Sequence, residues 1–199
     1  MDNALRIAVA DDEPEMLDYF RDTLSVLGHQ VVAAAQNGAE LVAQCRSVHP
    51  DLVITDIRMP DMDGIQAAIE IRREEPVPVI LVSAYHDPEL LQRALQDHVL
   101  AYLVKPIKQA DLETAIALVM RRFKEFRALR QQADDLRQAL EDRKLIERAK
   151  GILMKRAELD EQDAFRRLQK ISSDKNQKMV EIARMIITTE EALGPADLS

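Results

Sequence analysis

The chain has 199 residues, of which 47% are apolar and 31% charged, a composition typical of a globular protein with one or two domains. Tryptophan is absent and aromatic residues amount to 4%, so the stacking surfaces of proteins that bind single-stranded nucleic acids are not expected. Because Cys45 is the single cysteine, disulfides and cysteine-ligated zinc are excluded within one chain.

The net charge of −8 conceals an asymmetry between the two halves of the chain. Residues 1–120 carry 9 basic and 20 acidic side chains, whereas residues 121–199 carry 18 and 15. Two domains with different partners are therefore expected. The sequence shows no signal peptide, and no apolar run approaches the roughly 20 residues that span a bilayer. These features predict a cytoplasmic protein without a membrane partner.

Short apolar runs alternate with helical patterns through the first half of the chain. Strands are predicted at 5–10, 30–35, 51–56, 78–82 and 100–104, and helices at about 13–27, 37–48, 64–74, 87–97 and from 109 onward. Five successive strand–helix units predict an α/β fold with a doubly wound, five-stranded parallel sheet. Right-handed crossovers give the strand order 2-1-3-4-5, which places the first and third strands side by side.

Polar side chains stand at the carboxyl ends of four of these strands. Asp11 and Asp12 follow the first strand, Asp56 ends the third, Ser83 follows the fourth and Lys105 follows the fifth. Three converging carboxylates repel one another, and a hard cation such as Mg²⁺ would relieve that repulsion. A hydroxyl and an ammonium group complete a site of the size of a phosphate. For each acidic residue, the alternative is a helix cap or a solvated turn.

Over about residues 5–122, this pattern resembles the receiver domain of two-component response regulators. The motifs that carry the resemblance are Asp11-Asp12-Glu13, Asp56 with the Met-Pro-x-x-Asp-Gly turn after it, Ser83-Ala84, and Tyr102 three residues before Lys105-Pro106. The resemblance implies that Asp56 accepts a phosphoryl group from a sensor histidine kinase. The protein would then be a self-modifying switch, with at most self-catalysed transfer and autodephosphorylation, rather than an enzyme with a small-molecule substrate.

The receiver resemblance also implies a role for each residue of the site. Asp12, Asp56 and the backbone carbonyl of Arg58 would ligate Mg²⁺, and Asp11 would act directly or through water. Lys105 would contact the phosphoryl oxygens. Ser83 would hydrogen-bond the attached phosphoryl group, and Tyr102 would swing inward in response. The alternative for Tyr102 is a half-buried strand aromatic without a switching role. The peptide bond between Lys105 and Pro106 is expected to be cis.

The last helix of the receiver is predicted to continue into residues 123–142 as a helical or coiled-coil linker. Apolar residues recur there at alternating spacings of three and four, which is the heptad pattern of a coiled coil. We call this row the seam: Phe126, Leu129, Ala133, Leu136 and Leu140. Its two repeats favour a homodimer, and packing of the seam against the same chain is the alternative.

The second half of the chain predicts one long helix followed by two shorter ones. Apolar residues recur at helical spacing from Leu145 to Leu153 and form a stripe that faces a core. Asp160 is expected to cap the second helix and Asp174 the third.

This half resembles the ANTAR domain, an RNA-binding antitermination module, over about residues 129–190, with a flexible tail at 191–199. The resemblance rests on residues 143–154, Ala164-Phe165 and residues 172–176. The resemblance implies binding to tandem hairpins in nascent RNA, which prevents a terminator from forming. Glu158 departs from the family, where a glycine usually closes the long helix. Charge and predicted face select the RNA-binding candidates Lys144, Arg148, Lys150, Arg166, Arg167 and Lys175.

Two other functions remain as alternatives. The first is a response regulator whose helical output domain binds DNA or a protein partner, although no helix-turn-helix spacing is present. The second is a Mg²⁺-dependent phosphatase with an aspartyl nucleophile. The phosphatase pattern requires a second aspartate two residues after the nucleophile, where this chain has Arg58.

Overall fold

The computed structural model describes residues 4–74, 76–84 and 101–194. Five strands are present: β1 Arg6–Ala10, β2 Gln30–Ala35, β3 Leu52–Asp56, β4 Val79–Ser83 and β5 Ala101–Val104. The helices are α1 Pro14–Val26, α2 Gly38–Val48, α3 Gly64–Glu74, α4 Gln109–Ala157, α5 Glu161–Lys175 and α6 Met179–Leu193. These bounds match the predicted elements of the first half to within a residue. The helix predicted at 87–97 lies outside the described residues.

The five strands form one parallel sheet in the order β2-β1-β3-β4-β5. The predicted doubly wound topology is therefore confirmed. Ile7 of β1 pairs with Leu52 of β3, and Ala10 pairs with Thr55. Because these neighbours run in parallel and in this register, the residues that follow Ala10 emerge beside the end of β3.

Each face of the sheet is covered by a separate apolar core. Ile7 and Val9 point into the core formed with α1 and the start of α4, whereas Ala8 and Ala10 point into the core formed with α2 and α3. This alternation follows from the twofold period of strand side chains. Strands β3 and β4 are buried along their whole length, as expected for central strands covered on both faces.

The chain divides into two compact units, residues 1–127 and 128–199, and α4 is continuous across the division. The core of the second unit contains Ala149 from α4, Leu168 from α5 and Ile182 from α6, all nearly fully buried. The stripe predicted between Leu145 and Leu153 packs against this core. None of the helices in the described ranges combines the length and apolarity needed to span a lipid bilayer.

The predicted cap of the third helix is wrong. Asp174 lies inside the last turn of α5, which continues to Lys175 and ends at Asn176 in a left-handed conformation with φ of 51°. Helix α6 begins after Lys178, whose backbone N–H donates to the carboxylate of Glu181 at 3.3 Å. Helix α5 continues past Asp174 until Asn176 closes it in the left-handed conformation, which asparagine tolerates better than most residues.

Two other helix ends bear on the sequence predictions. The cap predicted for the second helix is confirmed, because the side chain of Asp160 accepts a hydrogen bond from the backbone N–H of Asp163 at 2.8 Å. Helix α6 extends to Leu193, three residues into the segment predicted as a flexible tail. The remainder of that segment, residues 195–199, lies outside the described residues.

Glu158 ends the long helix in the left-handed region, with φ of 51°. This conformation is the one that glycine adopts without steric cost at the end of a helix. The turn is therefore retained without the glycine, and Glu158 bears a local strain.

The seam residues of α4 are all exposed, as is every residue from 124 to 141. Leu129, Leu136 and Leu140 are 65%, 67% and 58% exposed. The seam is therefore an exposed apolar row, and both its pairing with a second copy and its packing within the chain stay predictions.

Candidate functional sites

The carboxyl edge of the sheet brings two buried carboxylates together. Asp56 ends β3 and is 5% exposed, and Asp11 directly follows β1 and is fully buried. The backbone N–H of Asp11 donates to the carbonyl of Ala35 at 3.1 Å, which ties it to the end of β2. Because β1 and β3 are neighbours in the sheet, both acidic side chains face the same crevice.

Gly64 allows the loop after Asp56 to fold back closely on β3. Its N–H donates to the carbonyl of Ile57 at 2.9 Å. A Cβ atom at this position would overlap the backbone carbonyl oxygen of Asp56. In the sequence Gly64 stands out only as part of the motif after Asp56, and the Asp63-Gly64 turn is the signal for this close approach.

Lys105 places a positively charged side chain at this edge of the sheet. Its Nζ lies 2.9 Å from Asp11 Oδ2 and 3.4 Å from Asp56 Oδ1, and its side chain is 16% exposed. The backbone N–H of Lys105 donates to the carbonyl of Ser83 at 2.8 Å, and its bond to Pro106 is cis, as expected. The ammonium group is thereby held against both buried carboxylates.

Burial, together with the neighbouring charge of Asp11, raises the pKa of Asp56 to about 6, against the lowering effects of Lys105 and of the Arg58 N–H. That N–H donates to Asp56 Oδ2 at 2.9 Å. Burial also raises the pKa of Asp11, despite its contact with Lys105. Burial lowers the pKa of Lys105, but its contacts with Asp11 and Asp56 outweigh this effect and the pKa is raised. At neutral pH Asp56 is therefore mostly ionised. The single ammonium group of Lys105 does not fully offset the negative charges of Asp56 and Asp11.

The donor set of this edge fits a hard divalent cation. The buried Oδ2 of Asp11 lies 2.9 Å from the Lys105 ammonium. Two buried carboxylates against one ammonium leave a net negative charge, and carboxylate oxygens are ligands that Mg²⁺ prefers. Asp12 is exposed at the rim of the edge. Within the described ranges, no three acidic, histidine or cysteine side chains stand together as a preformed metal cluster.

Ser83 and Tyr102 lie on the two strands beyond β3. Ser83 ends β4, is 3% exposed and pairs with Val104. It stands one residue beyond Val82, the partner of Asp56 in the sheet. Tyr102 is half-buried on β5 and packs against the core beneath α2 and α3. The structure therefore places Ser83 at the carboxyl edge and Tyr102 on the sheet face below it.

Lys150 is withdrawn from the RNA-binding candidates. Its side chain is 9% exposed, and its Nζ lies 2.6 Å from Glu147 and 2.8 Å from Glu161. The second of these ion pairs joins α4 to Glu161, the first residue of α5. Lys150 faces inward because its apolar stem packs beside the core while its ammonium meets two carboxylates. The sequence suggested the partner at Glu147 through its spacing of three, but the partner at Glu161 depends on the packing of α5.

The candidates on α4 are paired with acidic side chains. Lys144 contacts Glu141 at 2.7 Å, and Arg148 contacts Glu191 of α6 at 2.7 Å. All four side chains are more than half exposed, so these pairs contribute little to stability and a competing anion can replace the carboxylates.

The candidates on α5 form a more open basic face. Arg166 lies 3.4 Å from Asp163 and is 73% exposed, and Arg167 and Lys175 are exposed. Arg166, Arg167 and Lys170 line a shallow depression together with Asp163 and Asp174. Lys175 lines a separate groove with Ile152 and Met185. We call Arg166, Arg167 and Lys170 the basic face of α5.

Known families account for both halves of the chain. Residues 7–117 match the response regulator receiver domain, and residues 134–187 match the ANTAR domain. The transcriptional regulatory protein PdtaR of Mycobacterium tuberculosis is 37% identical over 184 residues, which cover 92% of this chain and 90% of PdtaR.

Solved structures agree with the receiver fold. The receiver domain of the putative response regulator NarL from M. tuberculosis superposes with a TM-score of 0.57 at 30% identity, covering 60% of this chain and 98% of that one. A complex of CheX and CheY with BeF₃ and Mg²⁺ from Borrelia burgdorferi has a TM-score of 0.54 at 24% identity, covering 56% of this chain and 85% of that one. The CheY likeness shows the fold alone.

The fold, the acidic edge and these matches define a response regulator of a two-component system. The chain belongs to the response regulator receiver family, and its second half is an ANTAR domain, which is an RNA-binding output module. Members of this family act mainly as non-enzymatic switches in transcription regulation, take a histidine kinase as partner and typically bind Mg²⁺.

Proposed function

We propose that this protein is a phosphorylation-controlled antiterminator. Asp56 accepts a phosphoryl group from a sensor histidine kinase, and the ANTAR domain binds tandem hairpins in nascent RNA and prevents a terminator from forming. The observation that carries the proposal is the contact of Lys105 with the buried carboxylates of Asp56 and Asp11, in a chain that also has an ANTAR domain. The domains are the receiver at 5–122 and the ANTAR domain at 129–190, with residues 123–142 as the helical linker.

Asp56 is suited to its proposed role because an ionised carboxylate attacks a phosphoryl group without a separate base. Asp12, Asp56 and the backbone carbonyl of Arg58 would hold Mg²⁺, with Asp11 acting directly or through water. When bound, the cation offsets charge on the transferred phosphoryl oxygens. Lys105 acts as a point charge toward the same oxygens.

Phosphorylation adds about −1.5 to −2 of charge beside Lys105 and Ser83. The Ser83 hydroxyl hydrogen-bonds the attached phosphoryl group. Tyr102, which is half-buried on β5, swings inward when Ser83 moves toward the phosphoryl group. The receiver surface from the helix predicted at 87–97 to α4 repacks in response.

The basic face of α5 is the proposed centre of the RNA-binding surface. Its cations neutralise RNA phosphates and release counterions, whereas the unpaired loop bases supply sequence specificity. Lys175 extends this surface at the end of α5. Lys144 and Arg148 join it by exchanging exposed carboxylate partners for phosphates, which costs little because exposed ion pairs are weak.

The exposed seam supports a homodimer. Four large apolar side chains of the seam are between 46% and 67% exposed on α4, and a second copy of the chain would cover them. Two heptads form a short interface, so the dimer is expected to be weak in the absence of further contacts.

Phosphoryl transfer is tested by labelling with a small phosphoryl donor in the presence of Mg²⁺. The unaltered protein is expected to take up one acyl phosphate that is stable in acid and labile in base, and Asp56→Asn is expected to take up none. Asp22→Asn, an exposed change on α1, is the matched control and should label normally. Label at another residue in the Asp56→Asn variant would contradict the assignment.

RNA binding is tested by titrating a tandem-hairpin RNA with and without Mg²⁺ and the phosphoryl donor, with duplex DNA as the control. Binding to the RNA that strengthens with the donor is expected. Binding to DNA alone would retain the receiver and overturn the antiterminator. Binding to neither nucleic acid would favour a helical module that recognises a protein partner.

A further inference from the structure

A cavity of about 140 Å³ lies between the last turns of α2 and α3. Buried side chains of both helices and of the chain just before β4 form its apolar wall: Val42, Cys45, Ile71 and Val77. Burial raises the pKa of the Cys45 thiol to about 12, so the thiol is neutral at physiological pH and adds no charge to this wall. In other proteins, an apolar cavity of about 150 Å³ stays dry and holds a molecule of the size of benzene.

This cavity is separate from the site of Asp56. Gly38 and Gly64, which begin α2 and α3, lie at the carboxyl edge of the sheet. The cavity lies at the opposite ends of these two helices, where Pro50 and Val77 lead into the amino ends of β3 and β4. Each helix has 11 residues, which is about 16 Å. A molecule in the cavity would therefore be bound away from the phosphorylation edge.

The mouth of the cavity already holds a carboxylate. Arg46 of α2 and Glu74 of α3 line it, and their side chains are 55% and 49% exposed. Arg46 Nε donates to the two carboxylate oxygens of Glu74 at 2.8 and 2.9 Å, and Nη2 also donates to Oε1. The guanidinium fork is therefore oriented to bind a planar carboxylate at the point where the apolar wall ends.

Glu74 can give up this position to another carboxylate. An ion pair between side chains that are about half exposed contributes little to stability, and Glu74 can turn into solvent when it leaves. The guanidinium of Arg46 stays protonated at physiological pH and remains available to the incoming group. A cationic ligand would instead have to displace the guanidinium, and it would place a second positive charge beside it.

We propose that this cavity binds a small monocarboxylic acid with an apolar body, such as a single aromatic ring or a short branched chain. The body fills the space between Val42, Ile71 and Val77, and the carboxylate takes the place of the Glu74 side chain on Arg46. Glu74 is thereby an internal competitor that keeps the affinity low. The site is independent of the proposed antiterminator function, since it uses no residue of the phosphorylation edge or of the ANTAR domain.

Binding is tested on the full chain with benzoate as the probe, by following the backbone amide NMR signals of isotopically labelled protein. Benzoate is expected to shift the signals of Val42, Ile71 and Val77 with a dissociation constant on the order of a millimolar, because the ligand is small. Benzylamine has a similar ring and the opposite charge, and it should bind at least about fivefold more weakly. The absence of a saturable shift at these amides, or equal binding of the two probes, would overturn the proposal.

The role of the ion pair is tested with substitutions at its two exposed side chains. Arg46→Gln is expected to weaken benzoate binding at least about fivefold and to leave the binding of neutral toluene unchanged. Glu74→Gln removes the competing carboxylate and should strengthen benzoate binding about two- to fivefold. An Arg46→Gln variant that binds benzoate as tightly as the unaltered protein would overturn the assignment of the carboxylate.

Arg73→Gln is the matched control. It removes an exposed guanidinium that pairs with Glu70 on the same helix but does not line the cavity, so benzoate binding should not change. Val77→Phe places a ring inside the cavity and is expected to abolish the binding of benzoate and toluene. Toluene binding retained in a folded Val77→Phe variant would overturn the location. If that variant fails to fold, the substitutions at Arg46 and Glu74 decide, because both side chains are exposed.

Discussion

At the scale of single residues, Asp56 combines deep burial with incomplete charge compensation. Its carboxylate is 5% exposed, and Lys105 is shared between it and Asp11. Burial raises its pKa from 3.8 to about 6, so the folded state binds a proton more tightly than the unfolded state does. The stability that this proton confers is complete below about pH 3.8 and is lost as pH rises through about 6.

We predict that Asp56→Asn stabilises the metal-free protein at pH 7.5. The shift in pKa from 3.8 to about 6 corresponds to a cost of about 3 kcal/mol for the charged form, and the amide does not bear this cost. Urea denaturation at several pH values measures the effect. The gain in the free energy of unfolding should shrink as pH falls toward 4, since Asp56 is then protonated. A gain that is the same at pH 4 and pH 7.5 would contradict the electrostatic origin.

At the scale of elements, the junction between α4 and α5 combines a stabilising contact with a strained turn. Lys150 joins the two helices through its contacts with Glu147 and Glu161. Glu158, between the helices, has a left-handed backbone conformation. For a residue with a Cβ atom, this conformation is less favourable than the right-handed one by about 1–2 kcal/mol. The packing of α5 against α4 therefore outweighs an unfavourable backbone conformation at the turn.

Glu158→Gly is expected to raise the stability of the second unit by about 1 kcal/mol, because glycine adopts the positive φ without strain. Denaturation monitored by circular dichroism gives the measurement. Glu158→Ala is the matched control, since it removes the same charge but keeps the Cβ and the strain. Equal stability of the glycine and alanine variants would show that the backbone conformation is not the cause.

At the scale of the whole molecule, the uneven distribution of charge corresponds to the two proposed activities. The acidic half contains the edge that fits a cation and a phosphoryl group, and the second half contains the basic face of α5. Many of the other cations in the second half are paired with carboxylates, as Arg148 is with Glu191 and Arg156 is with Glu190. The three cations of the basic face of α5 are exposed, so they are accessible to the phosphates of an RNA.

RNA affinity is accordingly predicted to fall steeply with salt concentration between low and physiological ionic strength. Replacing Arg166 and Arg167 together by glutamine should reduce the slope of log affinity against log salt by about 1 to 2, since two phosphate contacts are lost. Lys124→Gln, an exposed change on α4 outside the ANTAR match, is the control and should leave the slope unchanged. A flat response of the unaltered protein would remove the basic face of α5 from the RNA-binding surface.

The sequence by itself determined the strands, their order and the edge at which Asp11, Asp56 and Lys105 meet. This follows because the period of apolar residues is a local property, and parallel strands of a doubly wound sheet present their carboxyl ends on one side. Tertiary structure decided which charges are exposed and which are paired. Lys150 could be removed from the RNA-binding candidates only when α5 placed Glu161 beside it, because an ion pair between separate helices depends on how they pack. The exposure of the seam was likewise a property of the folded chain, since the heptad pattern is the same whether or not another surface covers it.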